Sequence, residues 1–409
     1  KEEVDHAGFV KGPYLETTLP FVEGKSLKQL VDDGLVSREF AKLGKHVHYD
    51  DWKLRIHQEQ ALNHIIRDKR NMIVSTGTGS GKTECYLYPI FNELMREKEK
   101  GTLDAGVRAL LIFPMNALAN DQQKKLRGLL AEYPYITFGR YTGETAHNKI
   151  NEDIEAAEKR LHEEYDIQHQ NDTEIEQRKS IPNELMCREY MAENPPRILL
   201  TNYAMLEYML LRPDTAAFFD TDKAKNWRFI VIDEAHTYKG AVGTEIAFLL
   251  RRLKERITHY MHDPFTCIAT SATLGNSGGK ASLAKFASDL FGEPFEENDV
   301  ITTVRDNRKP TAKERSFIPS EYVELKKEVK TKGESEKGAF LYDHLVNDSR
   351  LFALYESLKD KPRDISEVAD EVFSDAKTHA ESEKALIDLI ELAAAAKKSE
   401  FESALLPAR

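Results

Sequence analysis

Short apolar runs recur along the chain, and each stops at a polar or small residue. Met72–Val74, Leu110–Phe113, Ile136–Phe138, Arg197–Leu200, Arg228–Ile232 and Cys267–Ala269 have the length and β-branched content of buried strands. Between them the apolar positions fall three and four apart, which predicts helices starting at Trp52, spanning 82–100, opening at Asn116 and spanning 243–260. Strands that are apolar throughout need cover on both faces. Regular alternation with helices therefore predicts an α/β fold with a parallel sheet between two helical layers. In such a fold the polar residues just after each strand line one functional rim.

The rest of the chain departs from this pattern. Residues 1–50 carry Gly12, Pro13, Pro20 and Gly24 and one short amphipathic stretch, Ser26–Val31, and read as an extension packed on a main domain of residues 51–300. Residues 145–195 are acidic and polar with one apolar stripe, Ile150, Ile154, Ala157, Leu161 and Tyr165. They read as an inserted helical arm projecting from the sheet, the stripe serving as a packing face. Residues 301–338, charged and broken by Pro310, Pro319 and Gly333, read as a connector. Residues 339–409 read as all-helical, with helices over 340–358, 364–373 and 380–396. Three helices of this kind suit a winged-helix unit and a plain helical bundle equally.

Composition narrows the functional classes. The net charge is −11, so no global basic field draws the chain to nucleic acid, and any such binding must use a local groove. Cys85, Cys187 and Cys267 lie far apart without a paired spacing. That argues against a zinc site or disulfide framework and for a reducing, cytoplasmic setting. No apolar run approaches a membrane span and no signal-peptide core is present. The start at Lys1 and the stop at Arg409 make the chain read as part of something longer.

The strongest chemistry lies between the first strand and the helix that follows it. Residues 76–83 read Thr-Gly-Thr-Gly-Ser-Gly-Lys-Thr. Glycines at 77, 79 and 81 let successive backbone N–H groups turn around an anion, and the new helix adds the positive end of its dipole. Lys82 is placed for the β- and γ-phosphates of a nucleotide, and the Thr83 hydroxyl for Mg²⁺. Thr76 stands where a strict phosphate loop has glycine. Asp233-Glu-Ala-His236 follows the most apolar strand. Asp233 is placed to hold Mg²⁺ through water and Glu234 to orient or deprotonate an attacking water. Gln58, one helix upstream, is either an adenine-pairing amide or an ordinary surface glutamine.

These motifs together resemble the superfamily 2 helicases. Thr76–Thr83 is similar to their motif I, Pro114–Gln122 to motif Ia, Asp233–His236 to a DEAH-type motif II and Ser271–Thr273 to motif III. Thr201–Pro213 and His236–Gly240 resemble the YprA/MrfA type of DEAD/DEAH helicase, which includes large antiphage-defence helicases of the Druantia and DISARM kind. The resemblance covers residues 8–300 most strongly. It implies a RecA-like domain that binds ATP and Mg²⁺ through Gln58, Thr76, Gly77, Thr78, Gly79, Ser80, Gly81, Lys82, Thr83 and Asp233. It gives Lys82, Asp233, Glu234 and His236 catalytic roles and gives Ser271 and Thr273 a coupling role. It implies contacts to the backbone of one nucleic-acid strand from Asn116, Ala117, Thr142, Gly143, Thr201, Asn202 and Tyr203. Such contacts carry no sequence preference.

A complete motor of this kind also needs a second RecA-like domain with a Q-x-x-G-R-x-G-R motif, and no such stretch follows residue 273. The expectation is thus the N-terminal part of an ATP-hydrolysing DNA helicase or translocase in antiphage defence or DNA repair. Its partners would be single-stranded or duplex DNA (RNA staying open), the second RecA-like domain and other defence subunits. The competing readings are an ATP-gated nucleic-acid sensor that does not unwind and a P-loop ATPase acting on protein. Pro114–Gln122 and Thr201–Tyr203 have no evident role in the last.

Overall fold

The computed structural model describes residues 14–16, 21–43, 49–50, 52–77, 79–170, 179–220, 222–259, 264–272, 279–305, 315–358, 362–397 and 404–406. The chain forms two units, Glu23–Thr303 on one hand and Lys1–Val22 with Val304–Arg409 on the other.

The larger unit is built on an eight-stranded sheet and also holds an antiparallel pair, β2 (Glu23–Ser26) and β3 (Lys53–Arg55), so that the helix expected from Trp52 begins at Ile56. The strands of the large sheet are β4 (Met72–Ser75), β5 (Ala109–Phe113), β6 (Phe138–Arg140), β7 (Glu184–Leu185), β8 (Ile198–Asn202), β9 (Phe229–Ile232), β10 (Thr266–Ser271) and β11 (Val300–Thr302). They lie in the order β11-β4-β10-β9-β5-β8-β6-β7, and every neighbouring pair is parallel. Side chains alternate between two cores, as a sheet covered on both faces requires. Met72, Val74, Leu111, Phe113 and Val231 enter one core, with helices α2 (Ile56–Ile66), α3 (Lys82–Lys100) and α4 (Asn116–Leu130). Ile73, Leu110, Ile112, Ile230 and Ile232 enter the other, with α7 (Tyr203–Leu211), α8 (Gly240–Thr258) and α9 (Gly279–Phe291). Each fully buried aliphatic side chain contributes about 1.5–3 kcal/mol, so the central strands are fixed tightly enough to aim the residues at their ends.

Four boundaries differ from the sequence reading. The first 50 residues are divided between the units. Leu27 and Leu30 of α1 (Leu27–Asp32), with Val36, Phe40 and Leu43, belong to the core of the larger unit. In the other unit, β1 (Tyr14–Leu15) pairs antiparallel with β12 (Arg363–Asp364). The boundary at residue 300 cuts β11, a three-residue strand too short to show a period. The stretch 301–338 is not a connector throughout, because α10 (Pro319–Val329) buries Tyr322 and Leu325 in the helical core.

The fourth difference concerns residues 145–195. Helix α5 (Ile154–Gln168) is present, with its stripe half-buried at Ile154, Leu161 and Tyr165 and buried at Ala157, while Ile150 ahead of the helix is 94% accessible. The chain then returns to the main sheet as β7 and continues into α6 (Arg188–Glu193), which buries Met191. The segment therefore supplies a sheet strand and core residues and does not simply project. A buried ion pair, Arg127 Nε to Glu184 Oε2 at 2.6 Å, fastens β7 to α4.

The smaller unit packs α10, α11 (Glu334–Leu345), α12 (Ser349–Leu358), α13 (Ile365–Val372) and α14 (His379–Ala395) around one core. The helix expected over 340–358 is broken at Asp348, which accepts from the Arg350 N–H at 3.0 Å. Helices α13 and α14 meet across a turn, but Ala385, Leu386, Leu389 and Leu392 of α14 are buried. Asp388 and Glu391 on α14 ion-pair with Lys326 of α10.

Candidate active site and strand-facing rim

The C-terminal ends of β4, β10 and β9 are adjacent, so the sheet order brings the phosphate-loop sequence and Asp233–Glu234 to one place. Between β4 and α3 the chain turns through Gly79 and Gly81, with φ of 70° and 76°. Thr76 is fully buried and its hydroxyl meets that of Ser80 at 2.5 Å. Its φ is not in the left-handed region, so glycine is not required there. Thr78 lies outside the described residues. A Cβ at Gly77 or Gly79 would meet nothing within 4 Å, so the loop borders open space.

The start of α2 organises this loop. Arg55 Nη1 donates to the Gly79 carbonyl at 2.7 Å, His57 Nε2 to that of Ser80 at 2.8 Å, and Gln58 Nε2 to that of Gly81 at 3.1 Å. In a trans peptide the next N–H points opposite to the carbonyl. Holding three carbonyls toward α2 therefore turns the N–H groups of Ser80, Gly81 and Lys82 away from it. The sequence pattern marks Gln58 but not Arg55 or His57. Their signal was their position beside Gln58 at the strand-to-helix junction, where one helical turn faces one way.

Lys82 Nζ and Glu234 Oε1 form an ion pair at 2.9 Å. His236 Nδ1 lies 3.1 Å from Glu234 Oε2, yet the same nitrogen accepts from the Ala272 N–H at 3.3 Å. An accepting Nδ1 has no proton to donate, so Glu234 Oε2 is buried without a hydrogen-bond donor among the described residues. Asp233 is buried and accepts from Thr270 Oγ1, which in turn receives the Glu234 N–H at 3.1 Å. Burial pushes the Asp233 carboxyl up, the Thr270 hydrogen bond opposing it and the neighbouring Glu234 adding to it. Thr270 is a further residue of the site, hidden in the sequence as one more position of an apolar strand. Ser271 is buried, with its hydroxyl donating to the Ala272 carbonyl at 2.8 Å; Thr273 lies outside the described residues. Gln122 Nε2 of α4 sits 3.5 Å from Thr83 Oγ1.

The donor set fits a magnesium nucleotide. Two adjacent carboxylates, one with an unsatisfied buried oxygen, call for a cation or a water. A lysine, a glycine turn and a helix N-terminus beside them call for phosphate.

The remaining candidates form the neighbouring half of the rim, at the ends of β5, β8 and β6. Asn202 Nδ2 donates to Asn116 Oδ1 at 2.7 Å, while Asn202 Oδ1 caps α7 through the Met205 N–H at 2.8 Å. Thr201 Oγ1 donates to the Tyr141 carbonyl at 2.7 Å, and Tyr203 meets Tyr238 edge to face. Thr142 is buried, while Ala117 and Gly143 are exposed. Helix α4 spans both halves, from Asn116 at the one to Gln122 at the other.

Residues 55–279, more than half of the chain, match the DEAD/DEAH box helicase family. The chain belongs to that family. Among curated relatives it is 26% identical to Druantia protein DruE of Escherichia coli (strain UMEA 4076-1), over 98% of this chain and 27% of that protein. It is 27% identical to the uncharacterized ATP-dependent helicase YprA of Bacillus subtilis, over 64% of this chain and 27% of YprA. The chain thus spans about a quarter of the length of these relatives. The solved structure of the DUF1998 helicase MrfA bound to DNA has the same fold, with a TM-score of 0.50 and 21% identity over 74% of this chain and 34% of that one. No described helix is long and apolar enough to cross a membrane.

Proposed function

We propose that the chain is the ATP-binding first motor domain of a superfamily 2 DNA helicase or translocase serving antiphage defence or DNA repair. The observation that carries this reading is the Glu234 carboxylate, held by Lys82 through one oxygen and left with a buried, unsatisfied second oxygen beside Asp233. Lys82, Thr83 and Asp233 would hold the magnesium nucleotide, and Glu234 would orient the attacking water. ATP hydrolysis supplies the free energy for movement along the strand. Similarity to DruE across nearly the whole chain supports the defence context.

The residues themselves do three things. Arg55, His57 and Gln58 keep the loop open toward phosphate. Thr270 fixes Asp233 and the Glu234 backbone in one hydrogen-bonded unit. Asn116, Asn202 and Tyr203 present polar and aromatic groups to a nucleic-acid backbone along the second half of the rim. On its own the chain is expected to turn ATP over slowly.

The test uses the full-length protein. Glu234→Gln should bind ATP normally and lose turnover by about 100-fold or more, whereas Lys82→Ala should lose binding. Normal hydrolysis by Glu234→Gln overturns the assignment. Strand-separation assays on DNA and RNA duplexes decide between unwinding and sensing, and between the two substrates.

A further inference from the structure

We propose that Arg140 and Asn116 form a clamp for one backbone phosphate of the bound nucleic-acid strand, held ready by the Glu144 carboxylate that occupies it in this structure. The proposal rests on the reading of this rim as nucleic-acid-facing.

Two donors from separate elements converge on this carboxylate. Asn116 Nδ2, at the start of α4, donates to Glu144 Oε1 at 2.9 Å, and Arg140 Nη1, at the end of β6, donates to Glu144 Oε2 at 3.0 Å. A carboxylate and a phosphodiester both offer two charged oxygens to two donors, and an arginine fork suits either. Asn116 and Arg140 together hold the Glu144 carboxyl below its ordinary range, so it stays an anion. The Glu144 side chain is 55% exposed and that of Arg140 only 17%. The anion is therefore free to leave while the arginine is not.

The arginine is anchored from behind. Its Nε donates to Gln123 Oε1 at 3.0 Å, Gln123 Nε2 donates to Glu184 Oε1 at 2.6 Å, and Glu184 is locked to Arg127 inside the fold. Arg140 Nη1 also reaches Thr142 Oγ1 at 2.9 Å. An ordinary surface ion pair has neither a second donor from another element nor a buried buttress. The buttress includes β7, which gives the returning limb of the 145–195 segment a task in the site. Asn116 is tied in turn to Asn202, so the clamp belongs to the same hydrogen-bonded rim. Exchange of Glu144 for phosphate costs the release of one anion and returns a diester in its place. Neutralising Glu144 should therefore tighten binding.

The experiment is fluorescence anisotropy of a labelled oligo-dT with the full-length protein, titrated over a range of salt. Arg140→Gln should weaken binding about tenfold and flatten the salt dependence by about one phosphate contact. Glu144→Gln should tighten binding by about threefold or more, and should do nothing in the Arg140→Gln background. If Arg140→Gln fails to fold, Arg140→Lys takes its place. It keeps the charge and loses the fork, and should give an intermediate affinity. Weaker or unchanged binding by Glu144→Gln overturns the clamp alone, the former by making Glu144 a direct contact. An oligonucleotide that binds no form of the full-length protein overturns the reading beneath it and the clamp with it.

Discussion

Gln58 holds the Gly81 carbonyl through Nε2 at 3.1 Å, and a Cβ at position 81 would lie 2.3 Å from that same nitrogen. The other end of the amide, Oε1, accepts from the Arg55 N–H at 2.9 Å. One end of Gln58 thus serves the loop and the other caps α2, and pairing with adenine would need one of them to change partner.

Gly81 is constrained twice, by this close approach and by a φ of 76°. Gly81→Ala should lose about 1–2 kcal/mol from the left-handed backbone alone and push Gln58 off the loop. A lowered thermal midpoint together with weakened nucleotide binding is the expected result. Unchanged binding would show that the Gln58 contact does not shape the loop.

The pair Arg127–Glu184 is buried at both ends, and Arg127 also stacks over the Tyr165 ring at 4.3 Å. Glu184→Gln takes a buried carboxylate away from the Arg127 guanidinium, which costs about 3–5 kcal/mol. Urea unfolding measures it. Deleting 146–192 removes β7 as well and is expected to yield insoluble protein. A soluble, cooperatively unfolding deletion would show that the segment is dispensable after all.

Five strands of the larger unit were legible because each carries an apolar run, while β6, Phe138-Gly-Arg140, overlaps the expected run at Phe138 alone; the glycine-rich stretch 76–83 and Asp233–His236 stand out because few other residue types suit the chemistry proposed for them. The strands β7 and β11 were not legible, being two and three residues long with no room for a pattern. Residues 145–195 misled because acidic side chains usually mean solvent. Here Glu158 accepts the N–H groups of Met186 and Cys187, and Glu184 is buried against Arg127. Arg55, His57 and Thr270 act through hydrogen bonds between residues far apart in the chain, and no local pattern marks those.

Asp348 gives the smaller unit a pH dependence. Burial raises its carboxyl to about 6, against the opposing hydrogen bond from Tyr322, while an unfolded aspartate titrates near 3.9. A folded value above the unfolded one favours the protonated form on folding. The contribution is therefore fully present below about pH 4 and is lost as pH rises through about 6. Asp348→Asn removes the titration, so wild-type stability relative to the variant should fall between about pH 4 and about pH 6 and level off above that. A difference independent of pH would contradict the burial.

The last expectation concerns turnover by residues 1–409 alone. Phosphoryl transfer in P-loop motors depends on positioning and on stabilising charge as it spreads over the transferred group. On the proposed reading, Lys82, Thr83, Asp233 and Glu234 would supply one side of that arrangement. The other side is an arginine finger, which adds on the order of 10³–10⁵ in rate where it operates. The arginines of α8 are poorly placed to act as one. Arg251 donates to the Ala247 and Asp289 carbonyls, Arg256 is held by Asp220, and Arg252 lies against Glu207. Arg55 is at the loop but donates to the Gly79 carbonyl, on the side away from the phosphate-facing N–H groups. The finger is then expected from a second RecA-like domain or a second copy of this one. Steady-state ATPase with and without single-stranded DNA, run beside the full-length protein, should show very slow and weakly stimulated turnover by the chain. Comparable turnover that rises with the square of chain concentration would identify a second copy as the donor. Comparable turnover linear in concentration would place the finger within these residues, and Arg55→Lys would be the first variant to make.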